Sequence, residues 1–200
     1  MSRVRFYSDD SYSPNGQRFF FHMVVAGVAI SADRENVTKA LLEAESRSKK
    51  GIKVDWRGTP TRIKADYMDI VLGIPGLRGR VFYHPFDSLR MHEHSNARED
   101  TLQRVIARFT TGRDCHHAMH HEGLKGKPRH LLRLALQDRG CDGVTVETAE
   151  LKSDPEVRLS DALAGYIRAE LYRGDGNRAA LTNLPDWFEN LEPERRNPPE

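Results

Sequence analysis

The chain has 200 residues, of which 38% are apolar and 30% charged, and its formal net charge is +2. A chain of this length fits one sizeable α/β domain, and the apolar content is enough to build its core. So small a net charge does not by itself indicate a nucleic-acid binder, and any basic surface must be local.

The cysteines and the longest apolar stretch exclude two further classes. Cys115 and Cys141 lack CxxC spacing, which is typical of a reduced intracellular protein rather than a disulfide framework. The apolar stretch 19–30 is interrupted by His22 and is shorter than the roughly 20 residues that a membrane span needs. It follows no charged leader and indicates a buried strand rather than a signal peptide. We therefore expect a cytoplasmic protein without a membrane partner.

The first predicted elements form an antiparallel hairpin. Apolar and polar residues alternate over 3–8, which is the period of a half-buried strand. The motif SPNG at 13–16 supplies turn residues, and 19–31 predicts a second, more hydrophobic strand. Asp9 and Asp10 fall where the first strand is predicted to end.

Helices and strands alternate after the hairpin. Capping residues followed by apolar residues at helical spacing predict a first helix from about Ser31 to the basic run before Gly51. The same reasoning predicts helices over 60–72, 97–109, 128–140 and 157–173, an extended piece over 52–56, and strands over 80–86 and 142–151. This order predicts a three-layer α/β fold, one mixed sheet flanked by helices. We expect a single domain over 1–190 and a polar, flexible tail over 191–200.

Acidic residues at two places are candidates for chemistry. Asp9 and Asp10 can project beyond the edge of a sheet, although Asp is also common where turns start. Asp161 lies inside the last predicted helix among small residues, which would let the helix approach a sheet closely and carry the acid with it. If Asp154 is the N-cap, Asp161 lies in the second turn, beyond most of the benefit of the helix dipole. A cap at Ser160 would make that benefit the simpler explanation.

The histidine-rich segment 115–124 admits two structures. As a strand, it would stop at Glu122, an acid placed like Asp9. As a helix, it would have two histidine pairs at the i, i+4 spacing that lets imidazoles share a zinc ion: His116 with His120, and His117 with His121. A zinc site needs about two further ligands, and the chain has no HExxH motif. Plain surface histidines are the third interpretation.

These motifs resemble a bacterial family catalogued as domain of unknown function 3800. In that family the first strand ends in Tyr-x-Asp-Glu-Ser, the second strand is rich in Phe, Val, Ala and Gly, and the final helix carries Leu-Gln-Leu-Ala-Asp-x-x-Ala-Gly. The corresponding stretches here are FYSDDS, FFFHMVVAGVAIS and VRLSDALAGYIR. The resemblance therefore extends over nearly the whole chain. IKVDW, from Ile52, is similar to a Lys-Trp element that often follows the family's first helix.

Most motif positions match and some depart. The matching residues are Asp9, Ser11, Asp161, Ala164 and Gly165. The departures are Asp10 where Glu is usual, and Val157, Arg158 and Ser160 where Leu, Gln and Ala are common. Glu122 corresponds to the family's middle-strand acid by order and context.

The resemblance implies a ribonuclease-H-like fold and a divalent-metal-dependent nuclease. Enzymes of that class gather carboxylates to hold Mg²⁺ or Mn²⁺, which take oxygen ligands, and hydrolyse phosphodiester bonds in RNA or DNA. Here the implied metal ligands are Asp9, Glu122 and Asp161, with Asp10 as an auxiliary catalytic acid. Zinc is the less favoured metal. Proteins of this kind also suggest a role in mobile elements or phage defence.

Basic residues would supply the nucleic-acid contacts. The candidates lie in two dense stretches: Lys53, Arg57, Arg62 and Lys64, then Lys125, Lys127 and Arg129. A solvated, alternately charged surface is the competing interpretation. Trp56 and Tyr67 beside the first stretch would either stack on bases or belong to the core.

Two other functions are consistent with the sequence. One is a non-catalytic nucleic-acid or protein binding module with a degenerate site, motivated by the departures at Asp10, Arg158 and Ser160. The other is a zinc protein built on the histidine cluster. A homo-oligomer or a protein partner in a larger system is left open.

Overall fold

The structure is a computed structural model that describes residues 4–14, 19–30, 34–49, 56–109, 118–122, 127–138, 143–149, 154–172 and 182–193. Its strands are β1 Arg5–Pro14, β2 Phe20–Ile30, β3 Val81–Arg90, β4 Ala118–Glu122, β5 Thr145–Ala149 and β6 Glu189–Asn190. Its α-helices are α1 Arg34–Lys49, α2 Thr61–Leu72, α3 His94–Phe109, α4 Lys127–Gln137 and α5 Pro155–Leu171. Short 3₁₀ turns cover Pro75–Leu77 and Met91–Glu93.

The strands form one mixed, six-stranded sheet in the order β5-β4-β1-β2-β3-β6. β1, β2 and β3 are antiparallel neighbours, whereas β4 and β5 run parallel to β1. The predicted α/β class, the mixed sheet and the opening antiparallel hairpin are thus confirmed. β6 is too short to have left a periodic signal in the sequence, and it pairs in parallel with β3.

Helices cover both faces of the sheet, because successive strand residues supply apolar side chains to opposite sides. On one face, Tyr7 and Val24 pack in a core with residues of α1, α2 and α5. On the other face, Phe6 and Phe82 pack with residues of α3 and α4. The arrangement is the predicted three layers. None of the helices in the described part of the chain is long and apolar enough to cross a bilayer.

β1 is longer than the sequence predicts. The expected end at Asp9 and Asp10 is wrong, because β1 continues to Pro14 and these two acids pair with Ala26 and Val25 of β2. The physical reason is the length of β2, whose 11 residues offer backbone partners to β1 as far as Phe21. The acids therefore lie within a strand and not in a turn.

α5 begins where the first of the two capping alternatives places it. Asp154 is the N-cap and Pro155 the first helical residue, so Asp161 lies in the second turn. The alternative cap at Ser160 is wrong, because Ser160 is buried within the helix and its hydroxyl donates to the carbonyl of Glu156 at 2.9 Å. Asp161 is therefore not explained by the helix dipole.

The unusual Arg158 of α5 has a specific partner. It is buried, and its guanidinium donates to both carboxylate oxygens of Glu45 in α1, at 2.5 and 2.9 Å. A buried arginine needs such a bidentate partner because its charge is removed from water. The departure from the family's motif at this position is therefore compensated within the core.

The histidine-rich segment contains a strand. Residues 118–122 form β4, so the helical interpretation is wrong for His120 and His121. His116 and His117 lie outside the described residues. Most of the extended piece over 52–56 and most of the tail over 191–200 also lie outside them.

Candidate functional site

A cleft of about 680 Å³ opens beside β1 where the neighbouring strand β4 ends. Its walls come from β1, α2, α3, α5 and the turn before α2. The lining residues are Asp9, Asp10, Ser11, Tyr12, Trp56, Arg57, Lys64, Arg98, Asp161 and Arg168. Polar and charged side chains dominate this set.

The cleft exists because β4 is shorter than β1. Their parallel pairing is recorded as far as Ser8 opposite His121, while β2 accompanies β1 to Pro14. Beyond Ser8, the described strands cover only one edge of β1. Alternation along the strand sends Asp9 and Ser11 to the α5 face and Asp10 and Tyr12 to the α3 face. These four side chains reach the cleft around the open edge.

Asp9 is held close to the backbone. It is 7% exposed, and its Oδ1 accepts a hydrogen bond from the Asp10 N–H at 2.7 Å. Opposite it on β2 stands Ala26, which belongs to the core on the α5 face. This small neighbour leaves room for the carboxylate between the sheet and α5.

Asp161 reaches the same cleft from α5 and is oriented by the main chain of Trp56. The Trp56 N–H donates to Asp161 Oδ2 at 2.7 Å. One turn later, the indole of Trp56 covers Gly165, where a Cβ would come within 2.0 to 2.3 Å of three ring atoms. Gly165 therefore makes the space for the residue that orients Asp161.

The small residues of α5 thus pack against two different parts of the molecule. Ala162 and Ala164 are fully buried in the core between α5 and the sheet, as the sequence predicts for close approach. Gly165 instead receives Trp56, which the sequence pattern does not reveal. Both packing contacts bring Asp161 to the position it occupies.

Asp10 has a different partner from the other two acids. Its Oδ1 lies 2.7 Å from the guanidinium of Arg98 in α3, and its side chain is only 5% exposed. The pair lies on the α3 side of the sheet, whereas Asp9 and Asp161 line the cleft from the α5 side. Asp10 therefore fixes a cationic wall of the cleft.

Three further cations lie on the α5 side of the cleft: Arg57, Lys64 and Arg168. Arg168 donates through Nε to the Ser11 hydroxyl at 2.9 Å, and the Lys64 ammonium lies 4.9 Å from the centre of the Trp56 ring. Burial lowers the pKa of Arg168, and the positive charge of Arg57 lowers it further. Cations placed this close together favour an anionic ligand.

No model of a known protein family matches this chain. A comparison with curated proteins also finds no match. The family suggested by the motifs therefore stays a prediction.

The cleft brings together three of the four acids expected at the site: Asp9, Asp10 and Asp161. The fourth, Glu122, ends β4, and one further step of the β1–β4 register brings its backbone level with Asp9. Among the side chains that the structure describes, no three His, Cys, Asp or Glu residues form a metal-ligand cluster.

The predicted basic residues divide between the cleft and other surfaces. Arg57 and Lys64 line the cleft, and Arg62 is exposed on α2 without lining it. Lys127 and Arg129 belong to α4, on the other face of the sheet, and their side chains lie outside the described part. Lys53 and Lys125 are also outside it.

The two aromatic candidates have different surroundings. Tyr67 is fully buried in the core, which raises the pKa of its hydroxyl, so the core interpretation is confirmed for this residue. Trp56 lines the cleft while packing on Gly165 and Lys64. Its main-chain N–H orients the carboxylate of Asp161.

Sequence reasoning missed three residues of the cleft: Tyr12, Arg98 and Arg168. Arg168 follows Asp161 by two helical turns, so helical spacing alone would have placed both on one side of α5. Tyr12 follows Asp10 at the strand period, but the prediction that β1 ends at the acids concealed this. Arg98 leaves no comparable signal, because only the packing of α3 brings it to Asp10.

Proposed function

We propose that the protein is a divalent-metal-dependent nuclease of the ribonuclease-H-like class, acting on RNA or DNA in this cleft. The observation that carries the proposal is that Asp9 of β1 and Asp161 of α5 line the same cleft as the cations Arg57, Lys64 and Arg168. Carboxylates suit hard metal ions, and the cations suit a phosphate backbone.

The oxygen donors fit Mg²⁺ or Mn²⁺. Asp9 Oδ1 and Asp161 Oδ2 each accept a backbone N–H, and an ionised carboxylate offers about four lone-pair sites, the oxygen donors that these ions prefer. Glu122, level with Asp9 on the adjacent strand, is the third ligand that we propose. When bound, two such ions supply an activated water and stabilise the leaving oxygen of a phosphodiester.

The remaining residues of the cleft bind phosphates or orient other side chains of the site. Arg57, Lys64 and Arg168 neutralise phosphates near the carboxylates, and Ser11 fixes the direction of the Arg168 side chain. The Trp56 N–H holds Asp161 in one orientation, so that a metal would meet a prearranged ligand. Asp10 contributes by fixing Arg98, which places a fourth cation on the α3 side.

The fold supports the same class. The ribonuclease-H-like fold that the motifs predict is a mixed sheet with an opening antiparallel hairpin and flanking helices, and the sheet here is mixed and opens with such a hairpin. The departures in the α5 motif do not weaken the proposal, because Arg158 is paired with Glu45 and Ser160 is bonded within the helix.

The proposal is tested by cleavage of labelled single-stranded and duplex RNA and DNA with Mn²⁺ or Mg²⁺. Loss of a ligand to the metal should reduce the rate by at least about 100-fold, so Asp161→Asn and Asp9→Asn should be nearly inactive. Asp138→Asn is the matched control, since Asp138 is exposed at the end of α4, away from the cleft. It should cleave at the unmodified rate.

Thermal unfolding of each variant separates folding from chemistry. If Asp161→Asn and Asp9→Asn fold and still cleave as fast as the unmodified protein, the nuclease proposal is overturned. Metal-dependent cleavage that is lost only in these two variants supports it.

A second candidate is a nucleic-acid binding module without catalysis. It is favoured by the engagement of all three cleft acids with protein donors: the Asp10 N–H, the Trp56 N–H and Arg98. Calorimetry decides between the two functions. Nucleic-acid binding without a heat of Mn²⁺ binding and without cleavage would favour the module, whereas Mn²⁺ binding that Asp161→Asn abolishes would favour the enzyme.

A further inference from the structure

Three aromatic rings stand at the α3 side of the cleft. Tyr12 lines the cleft and is 41% exposed. The ring of Phe21 meets it edge-on at a centroid distance of 6.2 Å and an angle of 90°, and the ring of His94 lies 5.5 Å from it at 51°. Phe21 and His94 also contact each other, at 6.1 Å. The cluster therefore holds Tyr12 in place while much of its surface faces water.

The supporting rings make an uncharged backing at neutral pH. His94 is 7% exposed, and burial lowers the pKa of its imidazole despite the opposing effect of Asp10. A neutral imidazole packs against aromatic rings without the cost of burying a charge. Tyr12 thus packs against two neighbouring rings and still has an exposed surface.

The position of Tyr12 relative to the carboxylates is set by β1. Asp9 and Tyr12 are three residues apart in an extended strand, which corresponds to roughly 10 Å at about 3.3 Å per residue. They reach the cleft from opposite faces, around the edge of β1 that β4 leaves uncovered. A chain lying across this edge would meet the cations and the carboxylates first and the tyrosine ring next.

We propose that the cleft receives single-stranded nucleic acid, with one unpaired base stacked on Tyr12 and the neighbouring phosphates at Arg57, Lys64 and Arg168. A groove that combines cations with an exposed aromatic ring is the arrangement that binds single strands, because every base has a face for stacking. In a duplex, the bases stack on one another and are not presented to such a ring. The proposal rests on nucleic acid being the substrate of this cleft.

The test measures binding in EDTA, where metal-dependent cleavage does not occur. Fluorescein-labelled oligo(dT) and oligo(U) are titrated with the full chain, and anisotropy gives Kd. Tyr12→Ala should raise Kd roughly 5- to 100-fold for at least one of the two strands, the usual effect of removing a stacking ring. Tyr12→Phe, which keeps the ring, should change Kd by less than about twofold.

Three controls isolate stacking from folding and from charge. Leu42→Ala, at a 49%-exposed apolar residue on α1 outside the cleft, should leave Kd unchanged. An abasic strand has the phosphates without the bases, so Tyr12→Ala should leave its Kd unchanged. The slope of log Kd against log salt should also be the same in Tyr12→Ala as in the unmodified protein, since no phosphate contact is lost.

The outcomes distinguish this proposal from the nuclease proposal. Duplex binding that exceeds single-strand binding, or an equal loss of affinity for the abasic strand in Tyr12→Ala, overturns the stacking role whether or not the protein cleaves. Ring-dependent binding of single strands supports it even if no cleavage is found. Equal Kd values for Tyr12→Ala and the unmodified protein on both oligonucleotides overturn it.

Discussion

The two halves of β1 differ although they belong to one continuous strand. From Arg5 to Ser8, β1 lies between β2 and β4, and Phe6, Tyr7 and Ser8 are buried. From Asp9 to Pro14, the described strands pair with it on one side only, and its side chains line a polar cleft. Among the described residues, the lack of a second neighbour beyond Ser8 is what distinguishes the cleft-lining half of β1 from its core half.

The closed half is packed too tightly to accept change. Gly27 pairs with Ser8, and a Cβ at this position would lie 1.9 Å from the backbone oxygen of Tyr7. The open half instead contains two acids, a serine and a tyrosine in succession. The core packing and the lining of the cleft thus belong to separate segments of one strand, and this separation is directly testable.

The largest expected effect is a difference in stability between two variants of β1, each of which removes an aromatic ring that faces α3. Phe6 is fully buried and meets Phe109 edge-on at 6.4 Å, so Phe6→Ala should lower the free energy of unfolding by about 3–5 kcal/mol. Tyr12→Ala, at a 41%-exposed ring in the open half, should cost less than about 1 kcal/mol. Urea unfolding measures both, and equal losses would remove the distinction between the halves.

The second-largest expected effect is a pH dependence of the unfolding free energy, caused by a histidine buried beneath α3. His84 of β3 is level with Asp10 through Val25, and it is buried against Thr101 of α3 at 3.1 Å. Burial lowers its pKa to about 4, from 6.5 in the unfolded chain. Between these values the unfolded chain binds the proton more strongly, so stability is complete above pH 6.5 and is lost as the pH falls toward 4.

The contribution of His84 to this pH dependence should amount to about 3 kcal/mol, with His94 adding an effect of the same sign. Urea unfolding at a series of pH values measures it. His84→Gln should remove most of the His84 contribution. A slope that survives unchanged in this variant would show that α3 does not seal His84 from water.

The smallest effect tests whether the cleft can be disturbed while the closed half stays intact. Gly165→Ala should displace Trp56, because the new Cβ would occupy the space of its indole. We expect a loss of about 1–2 kcal/mol in unfolding free energy and a shift in tryptophan fluorescence. Gly73→Ala, at the exposed end of α2 where the backbone is already helical, is the matched control.

Gly165→Ala also tests the orientation of Asp161, since the displaced residue donates the N–H bond to it. The rate of the proposed metal-dependent cleavage should fall by a larger factor than the loss in unfolding free energy alone would explain. If the variant retains both the fluorescence and the activity of the unmodified protein, Gly165 is not the residue that positions Trp56.

The fold was predictable from periodicity because its elements have one buried side. The hairpin, the helices α1 to α5 and the strands β3 and β5 follow apolar spacing that local sequence determines. β4 lies in the histidine-rich segment, for which the sequence admits both a strand and a helix. The end of β1 was not predictable, since it depends on how far β2 offers partners. Acids are poor strand formers, and only the long pairing with β2 keeps them extended.

The site was predictable in its acids and not in its surroundings. Asp9 and Asp161 stood out through the motifs they belong to and through the small residues around Asp161, although the strand end predicted at Asp9 is wrong. Arg98 and Tyr12 enter the cleft only because β4 stops early and α3 packs where it does. No local pattern encodes where two distant elements meet.

The site also has an order of assembly in time. Ser11 and Arg168, which bond across the cleft, are separated by 157 residues along the chain. A ribosome adds about 5–20 residues per second, so roughly 10–30 seconds pass between the synthesis of the first carboxylate and that of the helix that completes the cleft. During that interval β1, β2 and β3 can pair, but Asp9 has no Asp161 beside it. The strands β1 to β3 are therefore made well before α5, which completes both the core on its face of the sheet and the cleft.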